Sequence, residues 1–297
     1  MRRLDTILLL VSVAVLGLGC PVIIYRPPDG GTIDDVPPEE VLISVSGTAR
    51  VHPLGAAYLA DAGFPEPDLT GVTLRVEEPF RVALNDPLGV FGSVTLGDAG
   101  AFSVANVRTV LVNLGVGAGI RDETDAGCGA DGGAACGPRV IRSATTLFDV
   151  ALEGKKPYQD IVGAKAWAIP AELHARLTAA ITPAVILQIS SNQFSTLVNT
   201  GFIFGQVVDT AGAPVAGVTI EPSPSSLSPQ FFYPTADLGS TQASTSANGS
   251  FIFVHDGSDV KPFKFKVAGR SEYLTRNGGA ARDACLVITV FPGRVAP

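Results

Sequence analysis

Three histidines, four cysteines and one tryptophan are the side chains best suited to chemistry in this chain of 297 residues. A hydrolase needs a base beside a nucleophile, or a metal beside water. His52, His174 and His255 stand far apart, and none sits in an HxxE, HExxH or other paired-ligand spacing. A GxSxG nucleophile elbow and a GxxxxGK(S/T) phosphate loop are both missing from the sequence. Residues 115–120 are glycine-rich, but neither a helix signal nor a nearby lysine follows, so they read as a loop after a strand over 107–114. Cys128 and Cys136 sit in DETDAGCGADGGAACGP, where an oxidising compartment would close them into a candidate disulfide. The acids of that run, Asp122, Glu123, Asp125 and Asp131, lack the ligand spacing of a calcium loop. Cys285, inside ACLVITVF, reads as a buried free thiol. Trp167 is a candidate ligand contact, since an indole can stack on a sugar ring; packing between modules is the reading its neighbours favour. The sequence therefore assigns no catalytic residue, no metal site and no cofactor.

The remaining cysteine, Cys20, closes the segment MRRLDTILLLVSVAVLGLGC. Arg2 and Arg3 precede an apolar run over 7–18, which is the pattern of a secretory signal. The run is shorter than the roughly 20 residues a bilayer-spanning helix needs, and Pro21 interrupts its extension. The placement of Cys20 resembles a bacterial lipobox, with Gly17 where leucine is usual; the resemblance implies a lipidated Cys20 and a membrane anchor. Residues 21–40, PVIIYRPPDGGTIDDVPPEE, have too little apolar surface to fold and read as an extended tether. The expected location is outside the cytoplasm, anchored in the cell envelope at the outer membrane or cell surface.

What must be positioned outside is acidic and turn-rich. The formal net charge is −7, and charged residues make up 16% against about 25% in an average domain. An acidic chain without a basic cluster does not bind nucleic acid. Gly, Pro, Val and Ala are plentiful, which points to a mainly β fold in two domains of ordinary size.

The organising pattern is a unit written twice. In the second half, GQVVDTAGAPVAGVTI is followed by NGSFIF; in the first, Gly47, the GVTL of 71–74 and the GAF of 100–102 answer it. Gly71 and Gly100 stand 29 positions apart, Gly217 and Gly249 stand 32 apart. Each glycine falls where a turn hands over to a strand, and Phe251 and Phe253, or Phe102 and Val104, alternate onto one core face. The first copy carries an enlarged loop over 52–70. The motif GxVxDxxGxPVxGVxI with NGxFxF resembles the carboxypeptidase regulatory-like domain, a transthyretin-like β-sandwich. That resemblance implies Greek-key sandwich modules that accompany catalytic domains but hold no catalytic residues, in a superfamily that includes starch-binding modules.

The expected organisation is a signal over 1–20, a tether over 21–40, a divergent sandwich over 41–152, a connecting segment with a short helix over 153–201 and a second sandwich over 202–297. Within the connector, residues 165–169 alternate as an edge strand would, and Leu173, Leu177 and Ile181 share a helical face after Pro170. Residues 184–198 fit strand or helix. The function this implies is a non-catalytic binding or structural role in the envelope, with the membrane, an envelope protein or a glycan as partner. A surface carbohydrate-binding module is the first alternative. An enzyme with a site between the modules, around His174 or His255, is the second.

Overall fold

The computed structural model describes residues 40–122, 139–260 and 262–294, and these form a single compact unit. Cys20, Cys128 and Cys136 lie outside the described residues. The first copy runs β1 (Leu42–Val51), α1 (Pro53–Ala62), β2 (Thr73–Glu77), α2 (Pro79–Ala83), β3 (Val90–Thr95), β4 (Ala101–Arg108), β5 (Gly115–Arg121), β6 (Val140–Ile141), β7 (Ser143–Asp149), α3 (Val150–Glu153) and β8 (Ile161–Pro170). Three helices follow: α4 (Ala171–Ile181), α5 (Pro183–Ile189) and α6 (Leu197–Thr200). The second copy runs β9 (Phe202–Val207), β10 (Ile220–Ser223), β11 (Phe231–Pro234), β12 (Thr241–Gln242), β13 (Ser250–Val254), β14 (Phe263–Val267), β15 (Arg276–Gly278) and β16 (Cys285–Val290). The protein is mainly β, two sandwiches with a helical insertion between them. Among the described residues no helix is long and apolar enough to cross a membrane.

The two copies match bond for bond. In each, the first strand lies between an antiparallel and a parallel neighbour: β4-β1-β8 in one, β13-β9-β16 in the other. In each, a second antiparallel layer faces it: β2-β5-β7 and β10-β14-β15. Gly47 pairs with Phe102 as Gly205 pairs with Phe251. Ala49 N donates to Gly100 O at 2.7 Å, and Val207 N donates to Gly249 O at 2.9 Å. Gly71 N reaches Leu96 O as Gly217 N reaches Thr245 O. The turn glycines share left-handed backbones, φ +83° and +76° at Gly71 and Gly217, +64° and +67° at Gly100 and Gly249.

Cores form where alternation sends apolar side chains inward. Val45, Phe102 and Val104 meet Leu74, Val76, Val116 and Ile120 in the first sandwich. Ile203, Phe251, Phe253 and Ile288 meet Ile220, Phe263 and Phe265 in the second. The opposite faces of β9, β13 and β16 are also apolar, with Phe202, Phe204, Ile252, Val254 and Val287 buried beneath Leu173, Leu177 and Ile181 of α4 and Ile186 of α5. A strand buried on both faces reads as a continuous apolar run, which is how SFIFV and FIFGQV look in the sequence.

Three expectations change. The alternating residues 165–169 belong to no connector: they lie in β8, hydrogen-bonded between β1 and β6. β8 closes the first sandwich as β16 closes the second, so the copy ends at Pro170 and the boundary at 152 is too early. Its partner β1 lies more than a hundred residues earlier, and that parallel pairing leaves no local mark. The glycine-rich 115–120 is no loop but the buried strand β5. Its glycines are there for close packing: a Cβ at Gly117 would lie 2.8 Å from Pro79, and one at Gly119 would lie 2.7 Å from the Glu77 carboxylate. Finally, the enlarged loop over 52–70 folds in part as α1, with His52 at its N-cap.

Gly217 and Gly249 separate the two demands on a turn glycine. A Cβ at Gly217 meets nothing within 4 Å, whereas one at Gly249 would lie 2.5 Å from Val207 O. Gly217→Ala is expected to cost about 1–2 kcal/mol, the penalty of a left-handed non-glycine residue. Gly249→Ala should lose clearly more in urea denaturation. Equal losses would show that the Val207 carbonyl yields without penalty.

Candidate functional site

A cleft with a cavity volume of about 100 Å³ lies between the two copies. It exists because one sheet runs through both sandwiches. β7 pairs in parallel with β16, Ser143 opposite Cys285, which joins the strands in the order β12-β11-β13-β9-β16-β7-β5-β2-β3. One wall is α2, with Pro79, Phe80 and Val82; the other is the segment around β15, with Val260, Pro262 and residues 277–281. The floor is β5 and β7, where Gly119 and Ala144 keep it low.

Three carboxyl groups sit in or beside this cleft. Glu77 is 4% exposed, and its Oε2 has no hydrogen-bond partner. Burial holds its pKa above the ordinary carboxylate value, against the pull of Arg121, Arg142 and Arg75. Glu78 is fully buried and caps α2: its Oε2 accepts from Arg81 N at 2.6 Å and its Oε1 from Leu114 N at 3.2 Å. Burial raises its pKa too, partly offset by those bonds. Asp149 clasps the second copy: Oδ2 accepts from Asn277 N at 3.0 Å, and Oδ1 from Asn277 Nδ2 at 2.9 Å. Asn277 Nδ2 also donates to Leu114 O at 3.0 Å, so one amide ties β15 to two segments of the first copy. Next to it Arg276 is 4% exposed, its guanidinium over the Phe291 ring at 4.1 Å. Burial lowers its pKa to about 10, which leaves it charged at neutral pH.

Glu78 and Asp149 act here as fastenings. Ser143, in the cleft lining, donates through Oγ to Trp167 O at 3.1 Å. The histidines hold backbone instead. His52 Nδ1 accepts from Leu54 N, His174 Nε2 from Val198 N, and His255 Nδ1 from Gly257 N. Burial lowers the pKa of both His52 and His174 to about 4, so each is neutral and suited to accept. Trp167 is half-buried in β8; its ring meets His52 edge-on at 5.7 Å and packs against the helix-covered core. Cys285 is buried and free, its thiol pKa pushed up by burial. Among the described residues no three His, Cys, Asp or Glu side chains gather as a metal site would require. Arg139 grips Asp122 through Nε at 3.1 Å and through its backbone N at 3.0 Å. Sequence reading missed Glu77, Glu78, Asp149 and Asn277. Their one local signal was the acid-acid-proline order of 77–79, an N-cap followed by proline at the first helical position.

No family profile and no curated protein matches the chain. Solved structures with some likeness include the Bacillus anthracis TIE protein, at 12% identity and TM-score 0.22, covering 86% of this chain and 34% of that one. The shaft pilin SpaA from Lactobacillus rhamnosus GG has 9% identity and TM-score 0.21, over 87% of this chain and 100% of that one. GBS52, the minor pilin of Streptococcus agalactiae, has 10% identity and TM-score 0.22, over 86% and 97%. This chain spans about a third of the TIE protein's length. Scores at this level carry no argument about what the chain does.

Two measurements check the reading of the cleft. A carboxyl whose folded pKa is raised favours the fold most at low pH, and that advantage is lost as pH climbs from the unfolded to the folded pKa. Glu77→Gln should therefore gain in Tm relative to wild type as pH rises from 4 to 7, by about 2–4 °C for each kcal/mol recovered. A difference that stays flat with pH would show that burial does not raise the Glu77 pKa. Asp149→Ala leaves two part-buried donors of Asn277 without their carboxylate and should cost about 1–3 kcal/mol. Hydrogen exchange should then quicken first at Asn277; unchanged exchange there would refute the clasp.

Proposed function

We propose that this is an exported, lipid-anchored protein of the cell envelope whose two fused sandwiches serve a binding or structural role without catalysis. The observation that carries the non-catalytic half is the fate of the histidines. Each accepts a hydrogen bond from a backbone N–H within its own neighbourhood, and two are buried neutral. A general base must instead present a free nitrogen to a reacting proton. Two of the three cleft carboxyls fit the same reading, since Glu78 caps a helix and Asp149 clasps a neighbouring strand. The anchored half rests on Cys20 after its apolar run and on the tether that follows. We read the second copy as a carboxypeptidase regulatory-like sandwich on the strength of its GQVVD, PVAGVTI and NGSFIF stations, and Cys128 with Cys136 as a candidate disulfide.

Cys20→Ala tests the anchor. The substituted chain should leave the membrane fraction for the soluble exported fraction, and the wild type should incorporate labelled palmitate. A wild type that takes up no label would remove the lipid anchor from the proposal.

A further inference from the structure

Eight large hydrophobic side chains are exposed among the described residues, and all but Phe64 gather at one end of the first copy. They are Val41, Leu42, Leu84, Leu88, Val110, Tyr158 and Val162, the last 78% exposed. Hydrogen bonds knit their segments into one surface. Val41 O accepts from Thr109 N at 3.1 Å, and Val110 O accepts from Lys156 Nζ at 2.6 Å. Arg81, in the helix that leads to Leu84, donates through Nε to Leu111 O at 2.7 Å. Ser44 N donates to Asp160 Oδ1 at 2.7 Å, two residues before Val162. Singly scattered hydrophobics are ordinary on a protein surface; a contiguous group marks an interaction site.

Two further observations say what covers it. First, this is the end at which the chain comes in: Glu40 and Val41 lead directly into β1. Second, the charges are arranged for an anionic, amphiphilic partner. Three acids at this end are engaged within the protein, Glu40 by Arg108, Asp86 by Arg81 and Asp160 by a backbone N–H, and Glu153 acts electrostatically on Arg276. Lys155 Nζ lies 4.0 Å over the Tyr158 ring, and Lys156 reaches a carbonyl, so both ammonium groups fringe the apolar group. Aliphatic side chains ringed by tyrosine and lysine suit the headgroup level of a bilayer.

We propose that this end of the first copy docks on the membrane surface. Leu88, Val162 and their neighbours enter the headgroup layer, while Lys155 and Lys156 meet anionic lipid. The choice of a bilayer as occupant rests on the anchor read at Cys20. The test is co-sedimentation of the mature chain, expressed from residue 20 onward with Cys20→Ala, with vesicles of phosphatidylcholine and phosphatidylglycerol. The chain should bind, and the double variant Leu88→Asp, Val162→Asp should bind about tenfold more weakly or worse. Its Tm should be unchanged, because both side chains are exposed. Lys155→Glu with Lys156→Glu should abolish the preference for vesicles containing phosphatidylglycerol. A chain that stays in the supernatant, or a double Asp variant that binds as its parent does, would overturn the docking. So would a dimer in sedimentation velocity that Leu88→Asp converts to monomer, since a second copy would then cover this end. Palmitate labelling reports separately on the anchor: a labelled wild type whose unlipidated chain ignores vesicles sinks the docking alone, and an unlabelled wild type whose chain binds them sinks the anchor alone while supporting the docking.

Discussion

Three residue pairs between β7 and β16 hold the architecture together. Without them each sandwich would end in a strand whose N–H and C=O groups face outward, and such edges invite pairing with other chains. Joined, the two edges satisfy each other and the sheet passes from one copy to the next. The rest follows from that join. With β16 covered on its flank by β7, the outer face of β9, β13 and β16 still needs cover, and the helical insertion supplies it. The corner where the two layers change roles leaves the cleft, and its carboxyls fasten the corner. Asp149 sits at the end of β7, itself one of the two joined strands, and its contact with Asn277 crosses 128 positions of sequence.

What was legible in the sequence was whatever a few neighbouring residues decide. Gly71, Gly100, Gly217 and Gly249 need left-handed backbones, which only short-range geometry sets, and all four have them. Phe251 and Phe253 share a core face because side chains alternate along a strand, and Leu173, Leu177 and Ile181 share one because a helix repeats. β8 was legible as a strand but not as a member of its sheet. Its partner β1 is remote, and no local pattern records a parallel pairing. β5 failed for a different reason. Glycine at 115, 117 and 119 suggests a turn when the neighbours are unknown, but here the missing side chains make room for Phe148 O, Pro79 and Glu77. The cleft was invisible because its walls come from both copies.

The electrostatics of the interior show the same division of labour. Carboxyls and imidazoles that sequence reading weighs as chemistry are used here to satisfy backbone groups that the fold would otherwise strand. His52 caps α1, Glu78 caps α2 and Asp149 caps α3, each through an acceptor atom on the residue before the helix. Among the described residues Glu77 Oε2, Arg176 Nε, Thr196 Oγ1 and Arg276 Nε and Nη2 are buried with unmet bonding capacity, and burial shifts Glu77 and Arg276 toward their neutral forms. Such a core is fastened at Glu78 and Asp149, and burial raises the pKa of both as it does that of Glu77.

The position of β1 bears on how the protein carries force. The chain comes in through a strand flanked on both sides, by β4 along one edge and β8 along the other. A pull transmitted through the preceding residues cannot peel β1 away one bond at a time, as it could an edge strand. It must strain two ladders together, and through β8 the load reaches the helices and the second sandwich. An anchor attached there would hold against drag that would unravel a molecule tethered by its rim.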